Sequence, residues 1–517
     1  MHRGKDRFVL AIGIDAAEPS LVRSLIGRGE MPALRGLLGE GAWLRVESPA
    51  RVGSGSVWPT FITGSGPAEH GAYGEWCWRP ETMGLERYSG RGLKPFWEAL
   101  AREGLTVGVL DVPFMPLLGL TEGFEISEWG AHDVLDGRLV FSPARLAPLV
   151  TNGSARHPLS RDRLDAAGPD DYESLKKVAA GCLEGARLRG ELALRLVREA
   201  RPQLALVAFT EVHHAAHYLW HTLAPGDPIY GEGLKGLRAV APTLEDIYRE
   251  VDRQIGRLVS AAPAGAAVLV FSLHGMRPTR GIPSFLAPLL CESGFARLAG
   301  WGAQTWRGRA VSALAAVKRG MPAPVKRLYY RAMPQTAAQR LAKPTMLPSY
   351  DWSQTRAFAL PTDQHGWVRI NLEGRESSGV VPPALYDATC REVEALLRSL
   401  VTEQGRPLAR EVIRTAASAE DAIGLRLPDI VIHWHDAAHE TPLRIKGRAA
   451  EAPAAVGLKF TGQHALDGFC ITNARGAAGA DSVRAEDLHL QILDALSAAP
   501  RTEGARDRLY PASRPVV

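Results

Sequence analysis

Short apolar runs alternate with longer amphipathic stretches along most of the chain. The apolar runs at 8–14, 105–112, 204–209 and 267–272 are continuous enough for buried strands, and a later one lies at 428–432. The stretches between them repeat apolar residues at helical spacing. They predict helices at 19–39 (broken in two by Gly27, Gly29 and Pro32), 172–199, 244–259 and 485–496. This alternation predicts an α/β fold with a mainly parallel sheet.

Composition narrows the class of protein. The chain has 517 residues, of which 46% are hydrophobic and 23% charged, as in an ordinary globular protein. Its five cysteines are odd in number and far apart, which fits neither a disulfide framework nor a CxxC metal site and indicates a reducing compartment. No apolar run approaches the roughly 20 residues that span a bilayer. We therefore expect a cytoplasmic protein.

Two segments interrupt the alternation, and we predict them to be insertions into a single catalytic domain covering residues 1–517. The first, about 127–170, is rich in predicted loops. The second, about 295–349, has ten Lys or Arg residues and no Asp or Glu, although the whole chain carries a net charge of only +5. Such a basic lid attracts an anionic substrate or an acidic surface, and a solvated helical hairpin is the alternative. No nucleic-acid motif accompanies it.

Three of the predicted strands are followed by side chains that can bind metals. Asp15 follows the first strand, Glu211 follows LALVAFT, and His274 follows AVLVFSL. Because ligands bind beyond the carboxyl ends of such strands, we expect these groups to meet at one sheet edge. Converging carboxylates and imidazoles repel or desolvate one another unless a cation neutralises them. Three further histidines come just after Glu211: His213, His214 and His217.

The segment 54–71, SGSVWPTFITGSGPAEHG, places hydroxyl groups at the start of a predicted helix. That helix is expected to begin near Ser56 and to end at Gly64. Its free N–H groups and positive dipole end favour an ionised hydroxyl facing a phosphoryl group. A serine also needs a metal or a base to become a nucleophile. The candidates are Ser54, Ser56 and Thr60, and a plain helix cap is the alternative.

With these motifs the chain resembles the alkaline phosphatase superfamily, and within it the type I phosphodiesterase and nucleotide pyrophosphatase family. The resemblance covers most of the chain and implies an alkaline-phosphatase-like sandwich with cap insertions. The family's nucleophile lies nine residues before a Thr-Gly pair, and counting back nine from Thr63 selects Ser54. The similar segments, in the family's order, are GIDAAEPS, MPALRGLLGEGA, the Ser54 segment with PAEHG, WVRINLEGRESSGVV and RLPDIVIHW.

The resemblance also implies two metal sites, of which the first takes an acid after a strand and two histidines. Here Glu211, His217 and His464 match that set. His217 lies six residues after the acid rather than the usual four. His213 and His214, on the same segment, are possible substitutes.

The second set implied by the resemblance is Asp15, Ser54 and His274. Leu273 stands where the family pattern has an Asp, so this set has one protein ligand fewer. Three donors can still hold zinc when substrate or water takes the fourth position, and the alternative is that no second metal binds. The expected cofactor is one or two zinc ions, with manganese or iron as alternatives.

These features predict metal-dependent hydrolysis of a small anionic phosphoester through a phospho-enzyme on Ser54. The resemblance implies that the substrate is a phosphodiester or a nucleotide pyrophosphate. Two alternatives stay open. The first is a phospho- or sulfo-group transferase, or a sulfate or phosphonate ester hydrolase, of the same superfamily. The second is a non-catalytic binding protein that kept the fold with a degenerate metal site, an alternative based on Leu273.

Overall fold

The structure is a computed structural model of the chain. It describes residues 7–130, 138–151, 156–159, 172–223, 240–279, 283–299, 325, 346–362, 364–439, 443–448, 460–474 and 480–497. Most of the predicted basic lid at 295–349 lies outside these residues, as does much of the predicted insertion at 127–170. The single catalytic domain with two insertions therefore stays a prediction.

The described chain forms two compact units. Unit 1 comprises Met1–His70, Ser89–Thr279 and Lys459–Arg514, and unit 2 comprises Gly71–Tyr88, Arg280–Leu458 and Pro515–Val517. The described strands, in chain order, are β1 Val9–Ile14, β2 Ala42–Glu47, β3 Trp76–Arg79, β4 Gly84–Arg87, β5 Val107–Leu110, β6 Phe124–Ser127, β7 Val140–Ser142, β8 Leu204–Phe209, β9 Ala267–Ser272, β10 Gly275–Pro278, β11 Ala357–Leu360, β12 Gly366–Ile370, β13 Ala409–Arg414, β14 Ile430–Trp434, β15 Gly462–Ala465, β16 Asp467–Thr472 and β17 Ser482–Arg484.

Every helix that the periodicity predicts is present, and further helices occur that the periodicity does not predict. Within the described ranges, no helix is both long and apolar enough to cross a membrane. The described α-helices are α1 Pro19–Gly27, α2 Pro32–Glu40, α3 Val57–Thr63, α4 Pro67–His70, α5 Phe96–Arg102, α6 Ala147–Val150, α7 Tyr172–Ala200, α8 Glu211–Leu219, α9 Leu244–Ala261, α10 Leu286–Glu292, α11 Tyr386–Arg398, α12 Ala419–Gly424 and α13 Leu488–Leu496.

Unit 1 is built on a nine-stranded sheet with the order β17-β2-β16-β9-β1-β8-β5-β6-β7. The five central strands from β9 to β6 all run parallel, and β16 and β7 pair antiparallel to them on either side. Val9 of β1 pairs with Leu204 of β8 and with Ala267 of β9, so these three strands start and end together. The predicted α/β fold with a mainly parallel sheet is confirmed.

Helices cover both faces of this sheet, which explains why its central strands are continuously apolar. Alternate residues of a strand point to opposite faces. Leu10 and Ile12 of β1 belong to one core with residues of α2, α7 and α9. Val9 and Ala11 belong to a second core with residues of α3, α5 and α13. Unit 1 is therefore a three-layer sandwich.

Unit 2 contains a four-stranded antiparallel sheet of order β11-β12-β14-β13 and the hairpin β3/β4. Buried ion pairs hold its interior. Asp429 accepts hydrogen bonds from two guanidinium nitrogens of Arg375 at 2.8 and 2.7 Å, and Glu376 accepts from Nε of Arg369 at 2.7 Å. The segments at 367–381 and 426–434, which contribute to the family resemblance, thus build the interior of this unit.

Candidate active site

The carboxyl ends of three neighbouring parallel strands bring the predicted groups together in unit 1. Because β9, β1 and β8 are adjacent and in register, the residues that follow them share one edge of the sheet. Asp15 follows β1 directly, and its N–H donates to the carbonyl of Phe209 at the end of β8. Helix α8 begins at Glu211, and His274 lies two residues beyond β9. Asp15, His274 and the histidines of α8 lie at this edge.

Three histidines form a tight cluster there. Nε2 of His213 lies 3.0 Å from Nε2 of His217 and 2.8 Å from Nε2 of His464. His213 and His217 are four residues apart on α8, which places both on one face of the helix. Among the described residues, these three form the group whose donor atoms lie close enough together to hold one metal ion; His213 and His217 are buried, and His464 is half-buried.

Strand β15 brings His464 to helix α8 through a close backbone approach. The N–H of Thr461 donates to the carbonyl of His217 at 2.7 Å. A Cβ on Gly462 would lie only 2.2 Å from the carbonyl oxygen of Ala216, so a side chain there would separate the strand from the helix. The glycine two residues before His464 is therefore needed for the close packing of the strand against the helix.

The hydrogen bonds of the cluster define which ring nitrogens carry protons. Nδ1 of His217 lies 3.1 Å from the carbonyl oxygen of Gly462, and Nδ1 of His213 lies 2.7 Å from Oδ2 of Asp15. Since carbonyl and carboxylate oxygens accept, both Nδ1 atoms donate, and a neutral ring then has an unprotonated Nε2. With both rings neutral, two nitrogen lone pairs would face each other across 3.0 Å. A proton on one ring or a shared metal ion relieves that repulsion.

The donor chemistry and spacing fit a transition metal. Imidazole suits zinc, and two nitrogens bound tetrahedrally to zinc at about 2.0–2.1 Å lie about 3.3 Å apart, slightly more than here. The hydrogen bond from His213 to Asp15 is also typical of a metal site, since metal-binding histidines commonly donate their other N–H to a carboxylate.

Asp15 connects the cluster to the segment that carries the predicted nucleophile. Its Oδ2 accepts from His213, and its Oδ1 accepts from Nε1 of Trp58 at 2.8 Å. Nε2 of His274 lies 3.7 Å from the same Oδ1. Trp58 is in α3, four residues after Ser54, so the indole ties the start of this helix to the strand end.

Ser54 begins a 3-10 turn, Ser54–Ser56, that leads into α3, and Gly64 ends α3 in a left-handed conformation with a φ of 64°. This agrees with the predicted helix limits. The two rival hydroxyls are engaged elsewhere. The Ser56 hydroxyl lies 2.7 Å from the carbonyl of Gly53, and the Thr60 hydroxyl lies 2.9 Å from Nε2 of His70. Ser54 is half-buried. The motif spacing, and not these contacts, selects Ser54 among the three, and its role stays a prediction.

Glu211 lies in a different network from the one that the resemblance implies. Its Oε1 accepts from Nε of Arg189 at 2.7 Å and lies 3.3 Å from Nε2 of His157. Arg189 is completely buried and also donates to Asp111 at 2.7 Å. Burial alone would raise the pKa of Glu211, but Arg189 and His157 outweigh it, so the pKa lies below its ordinary value. The geometry favours His213 in its place.

His213 therefore moves from a substitute to a central member of the cluster, beside His217 and His464. The other proposed substitute, His214, lies on α8 next to His213 with its ring centroid 5.8 Å from that of Tyr218. The four-residue spacing of His213 and His217 was the feature of the sequence that could have identified His213 as a metal-binding residue. The contact between Trp58 and Asp15 had no comparable signal in the sequence.

Comparisons with known proteins bear on the family and the fold. The model of the type I phosphodiesterase / nucleotide pyrophosphatase family matches residues 9–437. The phosphonoacetate hydrolase from Sinorhizobium meliloti 1021 in complex with phosphonoacetate is 17% identical, with a TM-score of 0.51, over 95% of this chain and 96% of that chain. This likeness confirms the alkaline-phosphatase-like fold.

Two further comparisons add no argument about function. The same hydrolase in complex with phosphonoformate has a TM-score of 0.50 at 16% identity, with the same coverage. Human ectonucleotide pyrophosphatase / phosphodiesterase 5 has a TM-score of 0.44 at 11% identity, over 96% of this chain and 97% of that chain. No curated protein sequence matches the chain.

Proposed function

Because the chain belongs to the type I phosphodiesterase / nucleotide pyrophosphatase family, we propose that it is a metal-dependent hydrolase of phosphoric esters that uses Ser54 as its nucleophile. The observation that carries this proposal is a set of short distances between imidazole nitrogens. Nε2 of His213 lies 3.0 Å from Nε2 of His217 and 2.8 Å from Nε2 of His464. Three imidazole nitrogens this close together form a suitable donor set for a divalent metal.

His213, His217 and His464 would hold the metal, with zinc preferred and manganese or iron as alternatives. When bound, the metal supplies Lewis-acid polarisation of a phosphoryl oxygen. Asp15 orients His213 through the Nδ1 hydrogen bond.

In the proposed reaction, the Ser54 hydroxyl oxygen attacks phosphorus in line with the leaving alcohol. The Oγ–P bond forms as the ester P–O bond breaks, and the proton released by the serine hydroxyl passes through solvent to the departing alcohol oxygen. Water then cleaves the Oγ–P bond and restores the hydroxyl, releasing the phosphoryl product. Phosphodiesters and nucleotide pyrophosphates are the proposed substrates because the family is named for them.

The first experiment compares wild type with Ser54→Ala on bis(p-nitrophenyl) phosphate, p-nitrophenyl phosphate, and matching phosphonate and sulfate esters, with zinc or manganese supplied. We expect Ser54→Ala to lose more than about 100-fold in kcat with the metal content unchanged. Ser56→Ala serves as the matched control. Equal hydrolysis by wild type and Ser54→Ala would exclude Ser54 as the nucleophile.

The substrate panel also separates the alternatives. Faster turnover of the diester supports the proposal, and faster turnover of the sulfate or phosphonate ester supports a different hydrolase of the superfamily. A protein that binds metal tightly and turns over none of the esters would be a binding protein.

A second experiment tests the metal-binding residues by elemental analysis. We expect His213→Ala to lose most of the bound metal, because it removes the nitrogen shared by both short contacts. Glu211→Gln, in the same helix, should keep its metal, since Glu211 pairs with Arg189. The assignment is wrong if the two variants lose metal equally.

A further inference from the structure

We infer that the centre is mononuclear, with one divalent cation held by His213, His217 and His464, and that Asp15 is a positioning residue for His213 and not a metal ligand. This inference rests on the proposed function and deepens it, because the family resemblance implies two metals. Three features of the described residues support it: the contacts of Asp15, the surroundings of Leu273, and the charge of the donors.

The two oxygens of Asp15 already have partners that fix the carboxylate. Oδ2 accepts from Nδ1 of His213 at 2.7 Å, and Oδ1 accepts from Nε1 of Trp58 at 2.8 Å. Both donors are buried, as is Asp15 itself. A carboxylate held in this way orients an imidazole and raises its basicity, which is the usual role of an acid behind a metal-binding histidine.

The indole that holds Oδ1 has little freedom to move. Trp58 is 3% exposed, with its ring centroid 6.0 Å from that of Phe61 and 6.2 Å from that of Phe271. A Cβ on Gly13 would lie only 2.6 Å from Cη2 of Trp58, so the ring packs directly against the β1 backbone. Rotating the Asp15 carboxylate out of this position would therefore leave the indole N–H buried without its acceptor, so Trp58 fixes the carboxylate that orients His213.

Leu273 is packed as a core residue. It is 1% exposed and belongs to the apolar core that also contains Val57, Phe61 and Phe271. The position that holds an Asp in the family pattern thus stabilises the sheet and helix packing here. The second metal site that the resemblance implies therefore keeps three donors, Asp15, Ser54 and His274.

Charge balance also favours one cation. Of the side chains predicted to hold the two metals, Asp15 and Glu211 are the carboxylates. Arg189 pairs with both Glu211 and Asp111, so these three groups together keep one negative charge, and Asp15 carries a second. One divalent cation balances these two charges, whereas two divalent cations would leave a net charge of +2 and would repel each other four times as strongly as two monovalent ions.

The test uses the full chain loaded with cobalt(II) or zinc and measures metal per chain by elemental analysis after removal of free metal. We expect one equivalent in wild type. Asp15→Asn should still bind one equivalent but about 10–100-fold more weakly, with an altered cobalt(II) absorption spectrum, because the acid behind His213 is gone. Trp58→Phe is the matched control: it removes the other hydrogen bond to Asp15 and should change the affinity less.

Two equivalents in wild type, with one of them lost in Asp15→Asn, would overturn the inference and leave the proposed hydrolase intact. Less than one equivalent in wild type would overturn both. One equivalent without hydrolysis of any ester would overturn the proposed function while supporting the mononuclear centre. The wild-type stoichiometry decides the inference even if a variant fails to fold.

Discussion

Replacing Arg189 by methionine should destabilise the protein strongly, because this guanidinium forms ion pairs with two buried carboxylates. Arg189 donates from Nε to Glu211 and from Nη1 to Asp111, both at 2.7 Å, and from Nη2 to the Thr210 hydroxyl at 3.0 Å. Arg189, Asp111 and Glu211 are all at most 1% exposed. Asp111 also accepts the backbone N–H groups of Trp129 and Gly130.

The magnitude follows from these contacts. Two hydrogen bonds between charged groups contribute about 1.5–3 kcal/mol each. Removing one partner of a buried ion pair also leaves an uncompensated charge, and such changes typically cost about 3–5 kcal/mol. We expect Arg189→Met to lower the free energy of unfolding by this amount at pH 7, measured by urea denaturation followed by far-UV circular dichroism.

The effect should depend on pH in a defined direction. In wild type the folded-state pKa of Glu211 lies below its ordinary value of 4.5, so its stabilising contribution is complete above pH 4.5 and is lost only as the pH falls further. In Arg189→Met, burial would raise the folded-state pKa, and protonation would then relieve the penalty. The difference between variant and wild type should shrink as the pH falls from 7 to 5.

Arg195→Met is the matched control, since Arg195 is exposed on the same helix and has no ion pair within the described part of the chain. It should change stability by less than about 0.5 kcal/mol. A loss below about 1 kcal/mol for Arg189→Met, or a loss that does not vary with pH, would refute the reasoning.

Two further predictions concern glycine packing and histidine burial. Gly64→Ala should lower the free energy of unfolding, measured by urea denaturation, by about 1–3 kcal/mol and should also lower kcat. The reason is that Gly64 ends α3 with a φ of 64° and a Cβ there would lie 2.2 Å from Cε1 of His489. Gly39→Ala is the control and should have neither effect, because a Cβ on Gly39 meets nothing within 4 Å. Burial lowers the pKa of His221 to about 4, so wild type loses stability as the pH falls from its unfolded pKa of 6.5 toward 4. In His221→Gln the drop in unfolding free energy between pH 7 and pH 5 should be about 2 kcal/mol smaller, and an unchanged drop would contradict that pKa.

The sequence predicts the central strands well because they are buried on both faces. The limits of β8 and β9 agree with the predicted runs at 204–209 and 267–272 residue for residue. Strand β2, AWLRVE, alternates between buried and exposed positions and has no continuous apolar run, so hydrophobicity alone does not reveal it. The hydrophobic pattern also does not predict the order of strands in the sheet. Strand β16, from near the C-terminus, lies between β2 and β9.

The identity of the metal-binding residues depends on helical geometry more than on residue type. At about 100° per residue, His213 and His217 differ by about 40° around α8, whereas Glu211 and His217 differ by about 120°. Two side chains must share a helix face to bind one ion, so Glu211 and His217 are poorly placed to do so. The buried Arg189 also comes from α7, and no local pattern connects it to Glu211. An acid after a strand is thus a good ligand candidate only when its helical spacing to the next donor is three or four residues and no buried cation pairs with it.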